Sequence, residues 1–360
     1  MPLISLQLQN LRQFTNASFE FHSHRNLVYG GNAAGKSTVL EAVQLLSVGK
    51  SSRSKSLEKL ALTGASGFSV SGECLVLGRS HSISNQLRDG ERRVSIDGLP
   101  GGKNHETARL LPVSLISPDS HYEFQREARH RRGAIDWVLF HVEQNYQSVW
   151  SRYQRILQQR NAELKRATNQ RAVAAWNEEL VMHGDVIQQL RIDAIQRINP
   201  IFKQICAQLI PALNEVALKL KIGWKSEHGL ESALIQDFDS DRRQGFTNSG
   251  SHRNDLNWVV EGQFDTSELS HGQRKLLFFA LKLAQAMFLQ KTCSLGCSLL
   301  VDDLSAELDA TSQEAAIDLL SVFPGQVILT SIEPTPWVEK WSDFRSFHVK
   351  HGQVLASQNN

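Results

Sequence analysis

The chain has 360 residues, a length that allows two domains and a large hydrophobic core. Hydrophobic residues make up 41% and charged residues 21%, as in an ordinary soluble protein, and the formal net charge of +2 is too small by itself to indicate a nucleic-acid partner. The sequence has no apolar run of about eighteen residues and no signal-peptide pattern at its N-terminus, so we expect a cytoplasmic protein without a membrane partner.

The N-terminal segment predicts three strands. Leu6 and Leu8 alternate with polar residues, which is typical of a strand with one buried face. A second strand contains Phe19 and Phe21, and a third, strongly apolar strand covers residues 26–30. This third strand leads directly into a glycine-containing loop.

The loop has the pattern G-x-x-x-x-G-K-[ST] and precedes an amphipathic helix, which is the context that a phosphate-binding loop requires. Such a loop directs backbone N–H groups at a phosphate, with the positive end of the helix dipole behind them. We expect Lys36 to contact the β- and γ-phosphates of ATP and the Ser37 hydroxyl to ligate Mg²⁺. The expected nucleotide-binding residues are Gly30, Gly31, Asn32, Ala33, Ala34, Gly35, Lys36, Ser37 and Thr38.

The segment after this helix predicts a basic loop and a set of antiparallel strands. Gly49 is a natural helix C-cap, and the loop 49–56 fits a solvated linker and a phosphate contact equally well. Short strands follow, with turns at Asp89-Gly90 and Asp97-Gly98. Pro118 ends the next apolar strand, so we expect a domain boundary there.

Residues 119–211 predict a helical lobe, because glycine and proline are nearly absent from most of it and apolar residues recur every three or four positions. Between residues 126 and 171, basic residues far outnumber acidic ones, a distribution typical of a surface that binds a phosphate backbone. A solvated helix face is the alternative that this pattern leaves open. The candidate DNA-binding residues are Arg126, Arg129, Arg131, Arg132, Arg152 and Arg155.

The chain then returns to a β-rich core, in which residues 268–275 begin a strongly apolar helix. Ser270 is the expected N-cap of this helix, because its side-chain oxygen can accept a hydrogen bond from the first turn. The exposed N–H groups of Gly272 and Gln273 predict a second anion site.

Two apolar strands near the C-terminus each end in polar residues. The strand at 297–301 delivers Asp302 and Asp303, and a carboxylate at the end of a buried parallel strand is where Mg²⁺ is held beside a phosphate loop. Asp302 is expected to hold the metal through water, and Asp303 to orient or deprotonate the attacking water, unless it only caps the following turn. The strand at 327–331 is expected to place Thr330 near the γ-phosphate.

The order of these motifs resembles the ATP-binding-cassette ATPases of the SMC type, and within them the RecF family, over essentially the whole chain. The resemblance is to an α/β fold, a P-loop ATPase head with a mixed β core and an inserted helical lobe. It is carried by Leu6-Gln7-Leu8-Gln9-Asn10-Leu11-Arg12, Gly35-Lys36-Ser37 with Leu40-Glu41-Ala42, Arg131-Arg132 with Asp136-Trp137, His252-Arg253 with Asp255-Leu256, Leu269-Ser270-His271-Gly272-Gln273 with Lys275, and Asp302-Asp303 with Glu307-Leu308-Asp309.

The resemblance implies an ATP- and Mg²⁺-dependent protein of recombinational DNA repair, DNA replication and the SOS response. It implies a homodimer in which two heads sandwich ATP, each supplying its signature serine, here Ser270, to the phosphate loop of the other, with Asp309 ending the D-loop. It also implies clamping of double-stranded DNA near single-strand gaps, cooperation with RecR and RecO in loading RecA, and release by weak, DNA-stimulated ATP hydrolysis.

Several positions depart from the family pattern, among them Ala33 and Ala306. Ala33 stands where the family usually has glycine, so we expect the loop either to avoid a positive φ at this residue or to be strained there. Ala306 aligns with the D-loop serine, and Ser305 lies one place early, which puts the contact across the dimer at that position in doubt.

The predicted division of the chain is discontinuous. Residues 1–118 and 212–360 are expected to form the ATPase core, and residues 119–211 the helical lobe. An SMC-like structural DNA clamp is one alternative function, although an insert of only about 80 residues is too short for long coiled-coil arms. An unrelated P-loop ATPase or a small-molecule kinase is the other, but it would leave the signature helix unexplained.

Overall fold

The computed structural model describes residues 2–166, 170–213, 215–225, 227–261, 269–293, 296–304, 308–334, 340–341 and 343–359. The chain folds as two compact units. The first unit comprises residues 1–122, 204–212 and 269–360, and the second comprises residues 123–203 and 213–268. We call them the ATPase unit and the helical unit.

The described residues form strands in the N- and C-terminal parts of the chain, and consecutive helices lie between residues 118 and 209. The strands are β1 Leu3–Leu11, β2 Phe14–Glu20, β3 Arg25–Tyr29, β4 Gly67–Val76, β5 Arg79–Arg88, β6 Glu91–Ile96, β7 Leu99–Pro100, β8 Val113–Ile116, β9 Ala217–Lys221, β10 Asp255–Val259, β11 Ser298–Val301, β12 Gln326–Ser331, β13 Arg345–Lys350 and β14 Gln353–Asn359. The helices are α1 Lys36–Val48, α2 Asn104–Leu110, α3 Pro118–Arg126, α4 Ala128–Val142, α5 Tyr146–Arg166, α6 Gln170–Ala174, α7 Asn177–Leu209, α8 Gly229–Gln236, α9 Phe238–Gln244, α10 His271–Cys293 and α11 Ala310–Ser321.

The ATPase unit is built around a six-stranded sheet in the order β14-β13-β3-β12-β11-β8. All neighbouring pairs in this sheet are parallel except β13 and β14. The strands β3, β12 and β11 lie side by side, so the residues that follow them meet at the same edge of the sheet. This edge is where the phosphate loop begins.

A second sheet, in the order β2-β1-β4-β5-β6-β7, is antiparallel throughout. Its buried face forms one core with α1 and with apolar residues of the central sheet such as Val28 and Phe347. Because α1 contacts strands of both sheets, most of its residues are buried, and Gly49 ends it in the left-handed conformation with φ 66°. The predicted hairpin turns are also confirmed, since Asp89-Gly90 and Asp97-Gly98 all have positive φ.

The helix α10 is a core element of the ATPase unit. Among the described residues it is the one helix long and apolar enough to cross a membrane by length and composition, but 67% of its most apolar window is buried inside the protein. The same length and apolarity are found in core helices of proteins that span no membrane, and the burial here fits that case.

The helical unit contains two arginines whose side chains are entirely buried. Arg160 donates to Asp241 over 2.8 Å, and neither side chain is exposed. Arg191 donates two hydrogen bonds, of 2.8 and 2.9 Å, to the carboxylate of Asp136. Removing one partner of such a pair leaves a buried charge without compensation, so these bonds hold α4, α5, α7 and α9 in fixed positions.

The structure corrects one predicted boundary. Residues 213–268 were predicted to belong to the ATPase core, but they cluster with the helical unit because β10 pairs with β9 and packs on α4. At the C-terminus, β14 continues to Asn359, since its backbone pairs with β13.

A further polar network in the helical unit surrounds His252. Its Nδ1 lies 2.8 Å from the Tyr153 hydroxyl oxygen and its Nε2 lies 3.0 Å from the carbonyl oxygen of Thr247. A carbonyl can only accept, so Nε2 carries the proton and Nδ1 accepts from Tyr153. Burial lowers the pKa of His252 from 6.5 to about 4, and the ring is neutral at physiological pH.

Replacing His252 with glutamine should weaken the acid sensitivity of the fold. The unfolded chain binds a proton on this histidine near pH 6.5 and the folded chain only near pH 4, so the free energy of unfolding falls as the pH drops through this window. Between about pH 7.5 and 5, we expect the wild type to lose about 1–2 kcal/mol more than His252→Gln. Denaturant unfolding of both proteins at the two pH values measures the difference, and an equal loss in both would contradict the prediction.

Candidate nucleotide-binding site

The loop between β3 and α1 requires glycine at both ends. Gly30 has φ 153°, and a Cβ atom there would lie 2.0 Å from the carbonyl oxygen of Val349. Gly35 has φ 120°, and a Cβ atom there would lie 2.7 Å from the ring of Phe14. The two glycines let the chain turn tightly from a buried strand into α1, which leaves the first backbone N–H groups of the helix facing the loop.

Lys36 is folded back onto this loop. Its ammonium group donates to the carbonyl oxygens of Gly30 and Gly31 over 2.8 and 3.0 Å, and the residue is only 8% exposed. The positive charge is therefore held beside the N-terminus of α1. Both features favour an anion at this position.

Ser37, Asp302 and Thr330 meet at the edge of the central sheet. The Oδ1 atom of Asp302 accepts hydrogen bonds from the Ser37 hydroxyl over 3.0 Å and from the Thr330 hydroxyl over 2.7 Å. The backbone N–H of Asp303, which has φ 50°, donates to the Thr330 oxygen over 3.0 Å. The structure thus brings together the predicted metal ligands and the residue expected near the γ-phosphate.

The oxygen atoms in this group fit Mg²⁺. This ion is usually held by one or two carboxylates together with phosphate oxygens and water, rather than by a cage of protein ligands. Consistent with that, the described residues contain no group of three or more histidine, cysteine or acidic side chains that could hold a metal. One carboxylate and one serine hydroxyl beside a phosphate loop match the expected donor set.

The N-terminus of α10 has a reciprocal cap. The N–H of Gln273 donates to the Ser270 hydroxyl over 3.2 Å, and the N–H of Ser270 donates to the Gln273 side chain over 2.8 Å. Ser270, His271 and Gly272 are exposed. The predicted N-cap is confirmed.

Asp309 has a local structural role. It caps α11, because its carboxylate accepts from the backbone N–H of Ser312 over 3.0 Å and from the Ser312 hydroxyl over 2.8 Å. The hydrogen bond from that N–H lowers the pKa of Asp309 below its usual value. The D-loop positions Ser305 and Ala306 lie outside the described residues.

Three further side chains line the pocket formed by residues 33–38, namely Arg12, Gln13 and Arg53. Gln13 donates to the carbonyl of Ala33 over 3.4 Å and accepts from Thr38 over 3.3 Å, so it spans the loop. Sequence reasoning missed Arg12 and Gln13 because they precede Gly30, where the loop begins, by eighteen and seventeen residues and belong to no nucleotide motif of their own. Arg53 belongs to the basic loop 49–56, and a phosphate contact is one of the two functions that the sequence allows for this loop.

The arginines predicted to bind DNA fall into two groups. Arg131 donates two hydrogen bonds to Asp255, of 2.7 and 2.9 Å, and two more to the carbonyl oxygens of Phe124 and Gln125. Arg132 donates to the carbonyl oxygen of Asn254 over 2.8 Å, and burial lowers its pKa. Both residues make their contacts within the helical unit, so their binding to DNA stays a prediction.

The other predicted arginines lie at the surface of the helical unit. Arg129 forms an ion pair with Glu127 over 2.5 Å while 68% of its side chain stays exposed. Arg152 pairs with Glu179 over 3.1 Å with 55% of its side chain exposed. Arg126 and Arg155 are also exposed. Exposed ion pairs of this kind are weak, so a phosphate group can compete for these arginines.

Comparisons with known proteins agree with this geometry. Residues 2–353 match the family model of the RecF/RecN/SMC N-terminal domain. The DNA replication and repair protein RecF of Vibrio cholerae serotype O1 is 32% identical, with 98% of this chain and 99% of that protein covered, and the protein of the same name from Coxiella burnetii is 33% identical, with 99% and 100% covered.

Solved structures show the same fold. The recombination mediator protein RecF with ATP, in the RecFOR pathway, superposes with a TM-score of 0.85 at 21% identity, covering 100% of this chain and 97% of that one. An Smc head bound to the C-terminal winged-helix domain of ScpA superposes with a TM-score of 0.63 at 14% identity, covering 100% and 98%. The fold is that of an SMC-type ATPase head.

Ala33 adopts the left-handed conformation that the loop requires, with φ 58°. This conformation costs a residue with a Cβ atom about 1–2 kcal/mol, whereas glycine adopts it freely. The neighbouring Ala34 has no positive φ and is 5% exposed. The two alanines therefore allow a matched comparison within one loop, because only Ala33 has a positive φ.

Ala33→Gly should leave the protein equally or more stable, by up to about 1 kcal/mol, because relief of the strained φ outweighs the larger chain entropy of glycine when unfolded. Ala34→Gly should destabilise it by about 1 kcal/mol or more, since no strain is relieved and a buried methyl group is lost. Denaturant unfolding of the two variants beside the wild type measures both changes. A loss in Ala33→Gly as large as that in Ala34→Gly would show that Ala33 is not strained.

Proposed function

Because this chain belongs to the RecF family of SMC-type ATPases, we propose that it is an ATP-dependent DNA-binding protein of DNA replication and repair. The observation that carries the proposal is the meeting of Ser37, Asp302 and Thr330 beside a phosphate loop. Each of these residues comes from a different segment, and together they supply the donors and acceptors that a magnesium–nucleotide complex needs.

Lys36 and the N–H groups at the start of α1 bind the phosphates in this proposal. Lys36 exchanges its two carbonyl partners for phosphate oxygens, which are stronger acceptors because they are charged. Ser37 and Asp302 would hold Mg²⁺, and the ion would neutralise negative charge on the phosphates. Asp303 orients or deprotonates the attacking water, and Thr330 holds the backbone of Asp303 in place.

Dimerisation completes the site. Ser270 lies at an exposed, capped helix N-terminus, which is suited to bind the γ-phosphate held by a second copy of this chain. To change a population from almost entirely monomeric to almost entirely dimeric, ATP must favour the dimer by about 10⁴-fold. Two nucleotides bound across one interface supply that preference, and slow, DNA-stimulated hydrolysis reverses it.

The ATP-bound dimer clamps double-stranded DNA near single-strand gaps in this proposal. Phosphate contacts from exposed arginines of the helical unit supply affinity that does not depend on base sequence, and the candidates are Arg126, Arg129, Arg152 and Arg155. The solved structures with this fold include a recombination mediator in the RecFOR pathway. We therefore propose RecR and RecO as partners and the loading of RecA as the outcome.

Lys36→Met should abolish ATP binding, because the variant keeps most of the unbranched side chain but removes the charged group that contacts the phosphates. We expect the affinity for a fluorescent ATP analogue to fall by at least about a hundredfold. Lys203→Met, at an exposed position on α7, is the control and should bind as the wild type does. Equal affinity of Lys36→Met and the wild type would contradict the assignment of the site.

Ser270→Arg should bind ATP with unchanged affinity but remain monomeric, since the large side chain blocks the second copy and not the protein's own phosphate loop. Light scattering with ATP and Mg²⁺ measures the mass, and Ser148→Arg, at an exposed serine of α5, controls for the added charge. ATP-dependent dimers of the Ser270 variant at the wild-type level would rule out a role of this serine across the interface.

A further inference from the structure

A buried carboxylate, Glu41, lies just over one turn beyond the phosphate loop on α1, and the nucleotide chemistry described above does not use it. The residue is 1% exposed. Its two oxygen atoms accept hydrogen bonds from Nε and from one terminal nitrogen of Arg12, over 3.0 and 2.9 Å. A third hydrogen bond comes from the Ser51 hydroxyl. A buried carboxylate with three donors on two other segments holds those segments in place.

The first of these segments is the turn between β1 and β2. Arg12 has φ 54° and directly precedes Gln13, whose side chain bridges Ala33 and Thr38 of the phosphate loop. The bidentate pair with Glu41 fixes the side chain of Arg12, only 27% of which is exposed. Glu41 thereby fixes the turn that places Gln13 across the loop.

The second segment is the loop after α1. The Ser51 hydroxyl donates to Glu41 and accepts from the backbone N–H groups of Arg53 and Ser54, over 3.0 and 2.9 Å. These bonds fold residues 51–54 into a compact turn. Arg53 lines the same pocket as the phosphate loop and Lys36.

We propose that Glu41 is a positioning residue of the nucleotide pocket. Through Ser51 it holds Arg53 where the guanidinium group can bind a phosphate of a nucleoside triphosphate, and through Arg12 it holds Gln13 against the phosphate loop. A cation held in place before binding loses less conformational entropy when the phosphate arrives, so the affinity is higher. The inference rests on the proposed function, since it assigns new roles within the proposed ATP site.

The test compares two adjacent serines of the same loop. Ser51→Ala removes the link between Glu41 and the backbone of Arg53, whereas Ser52→Ala removes a hydrogen bond to Gln44 on α1 that does not involve Glu41 or Arg53. Arg53→Ala removes the cation itself. Affinity for a fluorescent ATP analogue with Mg²⁺ is measured for the wild type, these three variants and the double variant Ser51→Ala/Arg53→Ala, together with each melting temperature.

We expect Ser51→Ala and Arg53→Ala each to weaken binding by about tenfold, the size of one charge-assisted hydrogen bond. The double variant should bind like Arg53→Ala alone, because Ser51 acts through Arg53. Ser52→Ala should bind like the wild type. Glu41→Gln should also weaken binding, and if it fails to fold, the serine variants still decide the question.

Two results would overturn the proposal while leaving the proposed function intact. Wild-type affinity of Ser51→Ala or of Arg53→Ala would show that the link through Ser51, or the cation itself, contributes nothing. A double variant weakened by about a hundredfold would show independent effects and thus a merely structural Ser51. If the wild type itself binds no ATP analogue, the proposed function fails, and the inference fails with it.

Discussion

The hydrogen bonds that Asp302 accepts from Ser37 and Thr330 are the contacts on which the candidate site depends. They join the helix after the phosphate loop to the ends of two neighbouring parallel strands, β11 and β12. Parallel strands bring their carboxyl ends to one edge of a sheet, so a site assembled there needs only a short polar residue at each end. Because each residue is attached to a buried strand or helix, the geometry is set before any ligand binds.

The phosphate loop contains strained backbone, and neighbouring residues stabilise it. Gly30 and Gly35 occupy positions where a Cβ atom would clash, and Ala33 takes a left-handed conformation although it carries a Cβ atom. Strained backbone persists only where surrounding contacts over-determine it. Here the hydrogen bond from Gln13 to the carbonyl of Ala33 and the burial of Glu41 beneath the turn supply such contacts.

In the helical unit, charged side chains stabilise the packing of the helices. Several of its arginines form ion pairs or hydrogen bonds inside the unit, as Arg131 does with Asp255 and Arg160 with Asp241. A fully buried pair such as Arg160 with Asp241 defines one arrangement of the helices, because a displaced charge would lose its partner in a medium that solvates it poorly. Part of the excess of basic residues in this region therefore stabilises the unit. The exposed arginines that are candidates for DNA binding are fewer than the composition implies.

Local patterns in the sequence were sufficient to predict the phosphate loop between a strand and a helix, the turns at Asp89-Gly90 and Asp97-Gly98, and the cap at Ser270. In each of them the residues that interact are close in the chain, so their spacing carries the information. Three outcomes became visible only in the folded chain: residues 213–268 cluster with the helical unit, Arg131 pairs with Asp255, and Glu41 links Arg12 to Ser51. These outcomes depend on pairings between distant segments, and such pairings are selected by packing and by the need to satisfy buried charges, which a single sequence does not display.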